Sequence, residues 1–180
     1  MADGLAQAVN TLFRAFFNIC LLKKGPQDLP LSKELLTLCL LLYTTVNILL
    51  ALTTTAAVRA IASGVLETAL VSALTIIILR LTRHPERWVQ TLTALTGTGC
   101  ILGITALPLF AGSMFPGAGD FLQALLVILY LILIIWSLAI MGHILRHALD
   151  TTMGTGVVFA ILYIVITSVL IGAIVSRAPA

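Results

Sequence analysis

Apolar residues fall in five long blocks, at 34–58, 60–79, 88–109, 121–141 and 156–176, separated by short polar segments. Each block is close to the ~20 residues that carry an α-helix across ~30 Å of hydrocarbon, so each predicts a membrane-spanning helix. The first twenty residues follow another pattern. Leu5, Val9, Leu12, Phe16 and Cys20 recur at helical spacing, Phe13 and Phe17 widen the stripe, and Gln7, Asn10, Arg14 and Asn18 lie on or near the other side. The early Asp3, the interruption at Arg14 and the lack of an A-x-A site argue against a signal peptide. Such an amphipathic helix has two natural places. It can lie in the headgroup layer, with Lys23 and Lys24 drawn to anionic lipid, or pack beneath the bundle. The fold expected is an all-α integral membrane protein, five transmembrane helices preceded by an N-terminal amphipathic interfacial helix. Residues 1–31 hold that helix and a Gly-Pro connector, and residues 32–180 hold the transmembrane domain.

Composition agrees with the pattern. Of 180 residues 60 % are hydrophobic and 9 % charged, with a mean hydropathy of +1.14. A soluble domain carries about 25 % charged residues, and the blocks leave no room for one. The sequence pI near 9.0 does not point to nucleic acid, because the cations sit between spans, where they act as topology signals. With a cytoplasmic N-terminus, Arg14, Lys23, Lys24, Lys33, Arg80, Arg83, Arg87 and Arg146 lie inside, and only Arg59 and Arg177 outside. That bias predicts an N-in, C-out chain in a bacterial inner membrane, and the 111–120 loop, free of Lys and Arg, belongs outside. Cys20, Cys39 and Cys100 are scattered and form no disulfide or zinc pattern.

Few residues carry candidate chemistry. Ser32 is placed to cap the first span, with Glu34 in its first turn. A very short turn around Arg59 makes the first two spans a hairpin. Folding there puts Glu67 about 10 Å deep, level with Leu52 and near Thr53, Thr54 and Thr55, and sets Asn47 level with Ser72. A carboxylate in hydrocarbon costs on the order of 2.5–3.5 kcal/mol at the bilayer centre unless neutralised or paired. Glu67 therefore reads either as a proton or cation relay or as a bonded carboxyl that pins the hairpin, and Asn47 is the second intramembrane polar candidate. In the third span Thr96, Gly99, Gly103 and Ala106 make one face small, suited to internal packing or to a homo-oligomer seam. The fourth helix is expected to run on past Met141 and stop at Gly154 and Gly156. Its His143, Arg146, His147 and Asp150 then share one face, and the i, i+4 histidines read as a metal pair with Asp150 or as a solvated face with an Arg146–Asp150 ion pair.

No GxSxG, HExxH or phosphate-binding glycine loop is present, and GTGCILG lies within a span rather than after a strand. No enzyme activity and no cofactor are therefore expected. The GPQDLP connector, the five closely spaced helices and RWVQTLTALTGTGCILGITALPL at the third resemble bacterial members of the broad Yip1-like group of five-span proteins. They also resemble uncharacterised proteobacterial inner-membrane proteins with GPQDLP and QTLTALxGTG strings. The eukaryotic DLYGP signature is missing, so no trafficking role follows. The resemblance implies a non-enzymatic scaffold that binds membrane lipid or a protein partner at its cytoplasmic face. The alternative is a small proton-coupled transporter or channel subunit using Glu67 and Asn47.

Overall fold

The computed structural model describes residues 2–113 and 119–175. The side chains of Leu5 and Val9, most of the outer loop and Arg177 lie outside the described residues. Of the described residues 87 % are helical and none lies in a strand. Its helices are α1 (Ala2–Cys20), α2 (Lys33–Leu52), α3 (Ala57–Leu81), α4 (Trp88–Ser113), α5 (Asp120–Ala148) and α6 (Met153–Val175), with single 3-10 turns at Pro26–Asp28 and Pro85–Arg87. Helices α2 to α6 are long and apolar enough to cross a membrane.

Local chemistry fixes the ends. The Ser32 hydroxyl accepts the Leu35 N–H at 3.0 Å and donates to Glu34 at 2.7 Å, so α2 starts at the expected cap. The turn to α3 is not at Arg59. The hydroxyls of Thr53, Thr54 and Thr55 bond the Leu50 and Ala51 carbonyls, which ends α2 at Leu52 and places Arg59 in the first turn of α3. Three adjacent threonines, each able to bond the backbone of the preceding turn, compete with helix continuation, whereas Arg is a good helix former.

The glycines Gly154 and Gly156 do not end α5 either; they sit in the opening turn of α6. Helix α5 ends earlier, where Asp150 takes a left-handed conformation (φ 47°) and the Thr151 N–H reaches back to the Arg146 carbonyl at 2.9 Å. Helices α1 and α3 end the same way, with Leu22 at φ 60° and Arg83 at φ 64°. The closing bonds are Lys23 N–H to Asn18 O at 2.9 Å and His84 N–H to Leu79 O at 2.8 Å. This six-to-one closure is most often built on glycine, so the sequence gives no cue at these three stops.

Packed against one another in the order α4, α2, α3, α6, α5 and back to α4, the five long helices form a closed ring. The most enclosed is α4. Its buried Thr91, Thr93, Thr96 and Thr98 each donate to the carbonyl four residues back, so no hydroxyl needs an outside partner. The small face expected on α4 is occupied within the chain. The ring of Tyr43 lies on Gly99 and Val46 on Gly103, both from α2, while Phe16 of α1 fills the space above Gly97. Opposite, α5 meets α6 where the Gly142 carbonyl lies directly against Gly156.

One end of the ring, here called basal, carries the 21–32 connector and the α3–α4 and α5–α6 turns. There α1 docks through buried Phe16, Ile19 and Cys20 against Ala94, Leu95, Ile140 and Ile144. Burial pushes the Cys20 thiol up to about 11, so it serves as a packing group. Toward the opposite end α5 stands nearly clear of its neighbours, with Phe121 83 % exposed and apolar residues exposed around its circumference through Ile135.

These contacts make two glycines two residues apart behave oppositely. Gly156→Val drives a side chain into the Gly142 backbone and is expected to cost about 1–3 kcal/mol. Gly154, whose nearest neighbour is the Thr152 hydroxyl at 3.9 Å, tolerates valine with little loss beyond helix propensity. Thermal unfolding of both variants in detergent checks the contrast: a clearly lower midpoint for the first only.

Candidate functional site

Between the helices is an open-sided cavity of about 320 Å³ to which all five long helices contribute. Tyr43 and Asn47 come from α2, Glu67 from α3, Thr98 and Gly103 from α4, Tyr130 and Ser137 from α5, and Ile164 from α6. On α4 its lining runs from Leu95 to Ala106 and on α5 from Tyr130 to Met141, about 16 Å of helix at 1.5 Å per residue. That volume over that length is a slender slot. Its basal side is floored by the buried cluster of Leu36, Val71, Leu92 and Tyr163. The Tyr163 hydroxyl donates to the Val71 carbonyl at 2.7 Å, joining α6 to α3 beneath the slot.

Glu67 is not level with Leu52. The Tyr43 hydroxyl donates to Glu67 Oε1 at 3.1 Å, and one residue on, the hydroxyls of Thr44 and Thr68 pair at 2.8 Å. Moving the turn from Arg59 back to the threonine triplet shifts the hairpin register by the same sense. Measured from Ala57, Glu67 lies about 15 Å along α3 rather than about 10 Å. Asn47 does not meet Ser72 either. Its Nδ2 donates to the Tyr43 carbonyl at 3.0 Å, and the Ser72 hydroxyl bonds its own helix at Thr68. The structure thus brings Glu67 and Asn47 to one slot, with Tyr43 beside both. Tyr43 was not singled out from the sequence; a turn placed at the threonines would have found it.

Three hydroxyls of the wall share a property. The hydroxyl of Thr98 donates to the Ala94 carbonyl at 2.7 Å, that of Ser137 to Ile134 at 2.7 Å, and that of Tyr43 to Glu67. Their protons face the protein, so the lone pairs that remain are acceptors. No Lys, Arg or His lines the slot.

The histidine group takes up another place, at the basal end. His143 Nε2 is 3.0 Å from the Lys24 carbonyl, to which its N–H donates, and His147 Nε2 lies 3.3 Å from the Arg146 guanidinium. The two rings meet edge-on with centroids 4.7 Å apart. Asp150 does not pair with Arg146. Its left-handed cap turns it off the α5 face to Arg87, at 2.8 Å, with His84 at 3.5 Å. Arg87 also donates to the carbonyls of His147 and Ala148 at 3.2 and 3.3 Å, satisfying the open end of α5. Gln90 Nε2 reaches the Leu29 carbonyl at 2.7 Å and ties the connector to α4. Among the described residues, no three of His, Cys, Asp and Glu are grouped to hold a metal ion. Arg87 was missed as a hub because its partners depend on a cap that the sequence does not announce.

Five apolar helices closed around a slot give the chain the architecture of a multi-pass membrane protein. Comparison with protein-family models, with curated proteins and with solved structures found no match.

Arg87→Ala removes an ion pair and two helix-end hydrogen bonds together. The pair stands partly in solvent, so the expected loss is about 1–2 kcal/mol. Asp150→Asn tolerates the left-handed turn and loses the ion pair alone, for under about 1 kcal/mol. Unfolding midpoints of the two variants, ranked in that order, check the assignment.

Proposed function

We propose that the chain is a non-enzymatic protein of a bacterial inner membrane, with a cytoplasmic N-terminus and a periplasmic C-terminus. Its basal face organises lipid or a protein partner, in the manner of the Yip1-like five-span proteins it resembles. The observation that carries this reading is the division of α1 into two apolar faces. Phe16, Ile19 and Cys20 are buried on the bundle, while Phe13 and Phe17 are 60 % and 49 % exposed and stack with centroids 6.4 Å apart. Leu21 continues the exposed stripe, and exposed Arg14, Lys23 and Lys24 flank it. An apolar stripe edged by cations is the pattern of a helix lying at a headgroup boundary. Docking on the bundle holds the helix in place, so the two placements read from the sequence act together.

Orientation is supported by charge. Lys23, Lys24, Lys33, Arg80, Arg83, Arg87 and Arg146 belong to the basal end, against Arg59 at the other. A reporter fused after Ala180 is expected to be active in the periplasm, and activity in the cytosol overturns the orientation. The recruiting face is tested with a Phe13→Ser, Phe17→Ser double variant. Both rings are exposed, so stability should shift by less than about 1 kcal/mol in total. A partner co-purifying from cross-linked membranes with the parent chain should be lost with the variant, and an unchanged set of co-purifying proteins refutes the role of α1.

A second reading, a small proton-coupled transporter or channel subunit working through Glu67 and Asn47, is favoured by the slot itself. Intramembrane carboxyls that face a cavity mark ion or substrate pathways more often than lipid-facing ones do. In proteoliposomes, Glu67→Gln should abolish proton-coupled flux while leaving the fold intact. Flux in neither version leaves the scaffold reading.

A further inference from the structure

We propose that the slot is a binding site for a protonated amine on a single slender apolar tail, with the ammonium at Glu67 and the tail directed toward Ala106 and Tyr130. The inference goes beyond partner recruitment, and it holds whether or not the ligand crosses the membrane. Three observations carry it.

The first is charge. Among the described residues, Glu67 is the one ionisable carboxyl on the wall, and no basic side chain lines the cavity to neutralise it. Its only hydrogen bond among the described residues is the one from Tyr43, on Oε1, so the second oxygen can accept. The second is donor bookkeeping. The hydroxyl protons of Tyr43, Thr98 and Ser137 are directed to Glu67 or to carbonyls of their own helices, and one Asn47 Nδ2 proton goes to the Tyr43 carbonyl. The wall offers chiefly lone pairs, which suits a ligand rich in N–H donors. The donors left on the wall are the Tyr130 hydroxyl, away from Glu67, and the second Asn47 Nδ2 proton. A charge-assisted bond to a carboxylate is among the stronger polar contacts.

The third observation is shape. The cavity holds about 320 Å³, at the low end for a small-molecule site, and is drawn out over about 16 Å. Glu67 and Tyr43 sit close to the floor at Val71, while Gly103, Ala106 and Leu133 continue an apolar wall away from it. Small residues on α4 keep that wall narrow without filling it. An alkyl chain fits along such a path.

The test uses the full chain in phosphatidylcholine nanodiscs, with hexylamine and its neutral isostere hexan-1-ol as probes and empty nanodiscs as the blank. At neutral pH the protonated amine should bind saturably and about tenfold or more tighter than the alcohol, the ratio given by one hydrogen bond to a charged group. Glu67→Gln should reduce the amine to the affinity of the alcohol and leave the alcohol unchanged. Ser137→Phe, which narrows the slot without touching the carboxyl, should weaken both probes together. Equal binding of amine and alcohol by the parent chain, no saturable binding above the blank, or an unchanged amine affinity in Glu67→Gln overturns the proposal. Exchange of the nanodisc lipid for phosphatidylethanolamine tells the source of the amine. Weakened hexylamine binding means the headgroup amine competes for Glu67, and unchanged binding means the site takes a free amine. Proteoliposome flux is a separate readout, so a binder without transport retires the transporter reading and keeps the site.

Discussion

Everything in this structure depends on one helix being able to sit among others without asking them for hydrogen bonds. Helix α4 carries four buried threonines, and each returns its proton to the carbonyl one turn back. In a medium without water an unsatisfied hydroxyl costs several kcal/mol, so this self-sufficiency lets α4 be surrounded. Its glycines do the complementary task. Where Gly97, Gly99 and Gly103 lack side chains, Phe16, Tyr43 and Val46 enter. Helices α1 and α2 are thereby set at a fixed height on α4, and the height of Tyr43 in turn fixes where Glu67 finds its bond.

The ring then follows from pairing. The short α2–α3 and α5–α6 turns make hairpins of neighbours, and α4 touches a member of each. Such an arrangement leaves the middle unfilled over part of its length, because five cylinders around a centre do not close on it as three do. At the basal end Tyr163 and Leu92 plug the gap; above them Tyr43 and Tyr130 border it without closing it. The cavity is thus a consequence of helix number and of small residues on α4, and the carboxyl on its wall is the one group there that composition did not require.

Much of this was legible in the sequence, and what was not has physical causes. The five apolar blocks matched five helices because hydrocarbon length and helical rise leave little freedom. The Ser32 cap and the compactness of one face of α4 were also readable. Arg59 misled as a turn marker because charge was taken as punctuation, while Thr53, Thr54 and Thr55 held the stronger stop signal in their hydroxyls. That error displaced Glu67 and hid Tyr43. Gly154 and Gly156 misled for the opposite reason. Glycine in apolar helices serves close packing as readily as it serves a cap, and here Asp150 supplied the left-handed turn. Ring order, and with it the cavity, is a matter of which faces meet across long sequence separations, which periodicity alone does not encode.

The bond beneath the cavity has a mechanical corollary. Tyr163 is latched to a main-chain carbonyl, and the same Val71 oxygen accepts the Thr75 hydroxyl at 2.7 Å. The Thr75 hydroxyl also lies 3.4 Å from the Tyr163 hydroxyl, so the main chain and a side chain of α3 meet α6 at one point. Joining the cavity to the basal surface therefore costs both of these contacts at once, whether Tyr163 rotates away or α6 shifts against α3.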